Sequence, residues 1–282
     1  MRPYTRQKRF LKPFLAKKAS ADFANAGVLP LGFLDRASVF ETLRVYEGRI
    51  FCWKEHLERL SESCSALGQA LPVPAGELKD WLDKSVLESG LRNASLRLSV
   101  HWAETEGRLL LFLRSFESHP RDWYEKGVAL SSTVCRRPSP RVQDTQIKSS
   151  QYVSGVLAML DYAVTPARPH ELLFFGPSGT IAEGTVSNVF IIKRKSLLTP
   201  SVSSGILKGV TRGIVIGLAR KRGWQVLEAH LTRHDLYTAD ECFLTNTSSE
   251  VLPVVRLDDR RVGDGKPGPL TRVLGEDFKK IR

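Results

Sequence analysis

A chain of 282 residues with 42% hydrophobic content can bury one large core or two modest ones, and no run reaches the roughly 18 apolar residues of a membrane-spanning helix. The net charge of +12 raises nucleic acid as a partner, but there is no zinc-finger or RRM signature and no interleaving of basic with aromatic residues, so a basic nucleic-acid-binding protein is disfavoured. The opening MRPYTRQKRFLKPFLAKK lacks the apolar run of a secretory signal, and Cys52, Cys64, Cys135 and Cys242 show neither metal-ligand nor disulfide spacing; the expectation is a cytoplasmic protein with reduced thiols and no metal. The charge concentrates in a basic N-terminal arm, and later runs such as Arg136-Arg137 read as solvated surface.

In chain order, SVFETLRVYEGRIFC (38–52) reads as two short strands turning at Glu47-Gly48. Leu57, Leu60, Cys64 and Leu67 then recur at helical spacing over 54–67, closed by Gly68, and a second amphipathic helix over 76–89 turns Leu78, Trp81, Leu82 and Val86 inward. SLRLSVHWA alternates strictly and GRLLLFLRSF is nearly continuously apolar, as two sheet strands would be. The polar stretch ESHPRDW (117–123) is the candidate linker, ending an α+β domain over 1–118.

A second domain over 124–282 opens with the strand GVALSSTVC, followed by a loop containing Pro and Arg and a helix from about Ser149 to Val164. ELLFFG and SNVFII read as strands, TPSVSSGILKG as a loop, and VTRGIVIGLARKRG as a helix ended by Gly223. WQVLEAHL and ECFLTN are further strands, RLDDRRVGDGKPG a hairpin, and PLTRVLGEDFKKI a last helix with Pro269 at its first position.

Five places carry candidate chemistry, one of them the hydroxyl-rich turn Thr245-Asn246-Thr247-Ser248-Ser249, which follows an apolar strand end and could contribute further hydroxyls. Lys148, in DTQIKSSQYVSGVLAML, sits where a polar loop meets an apolar helix; desolvation there frees an amine to attack a carbonyl, although a surface lysine fits as well. In SGILKGVTRG, Gly205 and Gly209 permit close backbone approach, and the amides of Val210 and Thr211 open a helix, a combination suited to an anion or to an ordinary glycine-rich turn into a helix. Arg59, three residues after His56, could snorkel into water or hold a phosphate through two parallel bonds. In GTIAEGTVSNVFII, Glu183 is a lone carboxylate directly before a buried strand, which is costly unless a positive group meets it.

Taken in order, FETLRVYEGRIF with EHLERL, IKSSQY, AEGTVSNVF, GILKGVTR, FLTNTSSEVLPV and VGDGKPGPLT resemble the class IV aminotransferases over roughly residues 30–282. These are the fold-type IV pyridoxal-phosphate enzymes, which include branched-chain and D-amino acid aminotransferases and aminodeoxychorismate lyases. The resemblance implies a two-domain fold with a smaller N-terminal α+β domain and a larger, barrel-like α/β domain that binds the cofactor. It also implies a homodimer.

By the same resemblance Lys148 is the Schiff-base lysine and Arg59 the phosphate-binding arginine. Val210, Thr211 and Thr247 supply further phosphate contacts, Glu183 pairs with the pyridine nitrogen, and Tyr152 bonds the cofactor's phenolic oxygen. Phe40, Arg97, His101 and Ser248 are the candidate substrate contacts; Arg97 and His101 share one sheet face, whose bland reading is a solvated one. FETLR stands where many branched-chain enzymes carry FEGIR, which favours other branches. The implied reaction is amino transfer between an amino acid and a 2-oxo acid; elimination of pyruvate from aminodeoxychorismate is the alternative.

Overall fold

The computed structural model describes residues 14–16, 38–103, 106–150, 153–164 and 169–282; Tyr152 and most of the basic arm lie outside the described residues. The chain divides into two compact units, residues 1–117 with 147–151, and residues 118–146 with 152–282. Lys148 therefore belongs to the first unit, although the sequence places it in the second.

In the first unit, β2 (Ser38–Tyr46) and β3 (Arg49–Ile50) form a hairpin. Its two turn residues, Glu47 at φ 48° and Gly48 at φ 78°, take the left-handed backbone that a tight hairpin needs. With β1 (Phe14–Ala16), β4 (Ala94–Ala103) and β5 (Glu106–Ser115) they make a five-stranded sheet in the order β1-β5-β4-β2-β3. Val39, Leu43 and Val45 of β2, Leu96, Leu98 and Val100 of β4, and Leu109, Leu111 and Leu113 of β5 share one core. Against that core pack Leu60 and Cys64 of α1 (Trp53–Ala66) and Leu78, Leu82 and Val86 of α2 (Ala75–Ser89). The period of two along β4 thus buries its leucines and leaves Arg97, Ser99 and His101 on the opposite face.

The second unit opens with the short α3 (Arg121–Glu125), which begins inside the segment read as a linker, followed by β6 (Val128–Arg136). Helix α4 (Val153–Val164) starts later than the sequence suggests. The lysine segment is extended before it: Phe40 N–H donates to the Lys148 carbonyl at 3.0 Å and Ser150 N–H to the Ser38 carbonyl at 3.0 Å, both onto β2. Then come β7 (Glu171–Phe175), β8 (Ile181–Gly184), β9 (Asn188–Lys193), β10 (Ser196–Pro200), α5 (Val210–Lys221) and β11 (Val226–Ala229). The remaining elements are α6 (Arg233–Tyr237), β12 (Glu241–Asn246), β13 (Glu250–Leu257), β14 (Arg260–Arg261) and α7 (Pro269–Ile281). Reading TPSVSSGILKG as loop hides the end of β10, and β8, α6 and the length of β13 are not visible in the sequence pattern.

The strand order is β11-β10-β9-β12-β13-β6-β7-β8, with β14 on β13. Ile181 of edge strand β8 donates to the carbonyl of Leu231, just past edge strand β11, at 2.7 Å. The sheet thus curls until its two edges meet, the barrel-like form expected. Leu173, Ile181, Val189, Ile191, Cys242, Leu244, Leu252 and Val254 fill one side. On the other side of β9 and β12, Phe190 and Phe243 stack with centroids 4.9 Å apart. Farther along that side, Glu241 caps α7, whose own N-cap Gly268 offers no side chain. Its carboxylate accepts from Leu270 N–H at 3.0 Å, Thr271 N–H at 2.8 Å and the Thr271 hydroxyl at 2.7 Å.

Glu241→Ala removes this cap and leaves first-turn amides of α7 without their partner. The expected loss is about 2 kcal/mol in urea unfolding, with α7 the first segment to lose amide-exchange protection.

Candidate active site

In the first unit the inward alternation of β2 places Glu41 among Val39, Leu43 and Val45, and α1 brings His56 and Arg59 to it one turn apart. Arg59 Nε donates to Glu41 Oε1 at 2.7 Å and Arg59 Nη2 to Oε2 at 2.7 Å, while His56 Nδ1 lies 2.7 Å from Oε2. Arg59 is therefore buried and braced by a carboxylate in a two-point grip. Burial pushes the Glu41 carboxyl up, but the Arg59 guanidinium and the hydrogen bonds from His56 and Arg59 outweigh it and hold it at about 2. Glu41 is not among the residues the sequence singles out, although an acid at an inward position of a strand, followed by His and Arg on one helix flank, is a signal for it.

The opposite face of the same sheet gathers three of the other candidates. Phe40 carries two cations: Arg97 Cζ is 3.5 Å from its ring centroid and Lys148 Nζ is 4.7 Å from it. Arg97 Nη2 also reaches the Ser150 hydroxyl at 3.4 Å, and burial lowers its pKa. The Lys148 backbone is held on both sides, its carbonyl by Phe40 N–H at 3.0 Å and its N–H by the Ser63 hydroxyl at 3.2 Å. His101 lies farther along β4, buried, with Nε2 3.0 Å from the Ser99 hydroxyl. The face is thus only partly solvated: Arg97 is half-buried against the Phe40 ring, and His101 is buried.

In the second unit Glu183 is buried at the end of β8 with three named partners. Its Oε1 pairs with Arg137 Nη2 at 2.5 Å, and its Oε2 accepts from Asn188 Nδ2 at 3.1 Å and Leu207 N–H at 2.9 Å. Arg137 is itself buried, with Nε donating to the Gly205 carbonyl at 3.1 Å. Reading the Arg136-Arg137 run as solvated is therefore wrong for Arg137, which neutralises a buried acid.

Around α5 the glycines have definite tasks. Gly205 takes φ 81°, and a Cβ on Gly209 would collide with the Asn188 amide oxygen. Gly209 is the N-cap of α5 and supplies no side chain, so the amides of Val210 and Thr211 open the helix without a side-chain cap. The turn after β12 is closed by its own Asn246, whose Oδ1 accepts from Ser248 N–H at 2.8 Å and Ser249 N–H at 2.6 Å. Thr247 and Ser248 are half-buried on this turn.

Residues 38–257 match the family Amino-transferase class IV. A protein of Methanocaldococcus jannaschii, provisionally assigned as a branched-chain-amino-acid aminotransferase, is 35% identical over 267 residues, covering 92% of each chain. The D-alanine aminotransferase of Listeria monocytogenes is 31% identical, with 85% of each chain covered. Among solved structures, the branched-chain amino acid aminotransferase of Thermobaculum terrenum, in its PLP-bound holo-form, has a TM-score of 0.79 at 27% identity, over 86% of this chain and 84% of that one. The chain belongs to the class IV aminotransferase family, and pyridoxal phosphate is its cofactor.

The residues present fit such a group. The uncapped start of α5 suits a phosphate, and Thr245 Oγ1 is a buried hydroxyl with no partner among the described residues, the kind of atom a ligand completes.

Glu41 yields a pH test. Its folded pKa lies below its unfolded one, so its contribution is present above about pH 4.5 and is lost as pH falls toward about 2. Glu41→Gln should cost roughly 3 kcal/mol at pH 7, and that deficit against wild type should shrink in denaturant titrations run through this acid window.

Proposed function

We propose that this enzyme transfers an amino group between an amino acid and a 2-oxo acid, with Lys148 as the residue that carries pyridoxal phosphate covalently and moves the proton. The observation carrying this reading is the placement of Lys148: an amine on a backbone pinned at both its N–H and its carbonyl, with Nζ 4.7 Å from the Phe40 ring centroid. A fixed backbone keeps the amine within reach of one point, as a group that first bonds a cofactor and then serves as base and acid requires. Bound pyridoxal phosphate supplies an electron sink for the pair left when the substrate's Cα–H bond breaks.

The other roles follow the chemistry of each residue. Arg59, aligned by Glu41, and the start of α5 at Val210 and Thr211 bind phosphate, joined by the Thr247 hydroxyl. Glu183 faces the ring nitrogen, and Tyr152 bonds the phenolic oxygen. Arg97, His101, Phe40 and Ser248 form the substrate contacts, with Arg97 best suited to a carboxylate. Transfer is preferred to elimination because relatives named as aminotransferases match over most of their length.

A homodimer in the cytoplasm completes the reading. Val153, Val156, Leu157 and Leu160 form an exposed apolar stripe along α4, which covering by a second copy would relieve, and all four cysteines are free, as a reducing compartment allows.

Two experiments test these roles. Lys148→Ala should abolish covalent attachment and nearly all turnover; borohydride reduction and peptide mapping of wild type should find the adduct on Lys148, and an adduct on another lysine would sink the assignment. Glu183→Gln keeps the shape but loses the charge that meets Arg137, so it should lose roughly 2 kcal/mol of stability and also show a slower half-reaction with a larger Cα-deuterium isotope effect. A wild-type half-reaction rate in the destabilised variant would leave Glu183 a purely structural acid.

A further inference from the structure

Thr245, near the end of β12, stands directly opposite Asn188 of β9 in the antiparallel pairing. It is 2% exposed, and its Oγ1 has no hydrogen-bond partner among the described residues. Directly opposed residues of an antiparallel pair point to the same face, with Cβ atoms about 5 Å apart, so the Thr245 hydroxyl lies beside the Asn188 amide. That amide donates to the Leu207 carbonyl at 2.9 Å, and it packs so closely on Gly209, the N-cap of α5, that no Cβ fits there. Two independent features therefore converge: a helix start whose N-cap has no side chain to offer, and an unpartnered hydroxyl buried next to it.

We propose that Thr245 is a further anion-binding residue, its hydroxyl donating to the phosphate held at the start of α5, directly or through one bound water. The inference rests on the reading of that helix start as the phosphate site. A buried hydroxyl left unbonded destabilises the protein without its ligand, and such a cost is retained where binding recovers it. Thr245 differs in this from Thr199, also buried, whose hydroxyl donates to the Val189 carbonyl at 2.9 Å and so serves the fold alone.

The test pairs affinity with stability in the full-length chain. Thr245→Val is nearly isosteric and removes only the hydroxyl. After removal of the cofactor, the variant should bind pyridoxal phosphate and inorganic phosphate about tenfold more weakly than wild type, equivalent to about 1.4 kcal/mol. Its cofactor-free form should melt higher, by roughly 2 °C, because the unbonded hydroxyl is gone. Thr245→Ser keeps the hydroxyl and should restore the affinity. Unchanged anion affinity in Thr245→Val, or a lower melting temperature without ligand, would overturn the proposal, since a hydroxyl that serves the fold gives one or the other. Arg59→Ala separates this failure from that of the parent reading: if it weakens cofactor binding while Thr245→Val does not, only the role of Thr245 falls, and if wild type binds neither probe, the phosphate site itself falls.

Discussion

Two turns of the second unit are organised around one buried carboxylate. Glu171 on β7 is buried, and its oxygens accept from Val186 N–H at 2.6 Å, the Ser187 hydroxyl at 2.7 Å and the Thr185 hydroxyl at 3.3 Å. It has no salt-bridge partner among the described residues, and burial raises its pKa against the pull of those donors. The turn joining β8 to β9 is thereby wrapped around one side chain, so tightly that a Cβ on Gly184 would strike it. Ser187 in turn accepts from Asn246 Nδ2 at 2.8 Å, and Asn246 Oδ1 holds the amides of Ser248 and Ser249. A single acid thus shapes two turns, one flanked by Glu183 and Asn188, the other carrying Thr247 and Ser248.

Elsewhere buried acids are met differently, according to what they must do. Glu41 and Glu183 each face a guanidinium, from Arg59 and Arg137 respectively, whereas Glu171 and Glu241 are satisfied by N–H and O–H groups. An ion pair in a core gains little net stability once desolvation is counted, but removing one member leaves a charge stranded. Such pairs are better suited to holding a charged group in one orientation than to adding stability. Arg59 and Glu183, the residues proposed to meet the phosphate and the ring nitrogen, are both held in this way, and preorganised charge is what a site needs to bind a charged ring and stabilise charge as it develops.

Much of the fold was legible because its periods are clean. The hairpin at Glu47-Gly48, the leucine stripes of α1 and α2, the alternation of β4 and the proline start of α7 all rest on local spacing, and all are present. The ordered motifs identified the family, since each is a short contiguous run. The errors share a cause too: the helix after Lys148 was begun too early because IKSSQY carries no local breaker, and only pairing with β2 keeps Lys148 and Ser150 extended. Arg137 looked like surface because an Arg-Arg run carries no sign of which residue turns inward.

Sequence by itself determined most element types, the candidate residues and the family, because these depend on side-chain character read over a few neighbouring positions. Tertiary structure decided which partner each of those residues has. Glu41 meets Arg59 across 18 positions, Glu183 meets the Leu207 amide across 24, Lys148 is braced by Ser63 across 85, and Thr245 faces Asn188 through sheet register alone. Hydrogen bonds and ion pairs act over about 3 Å of space whatever the separation along the chain, so charge state, orientation and the unbonded Thr245 hydroxyl become visible only once the strands are paired.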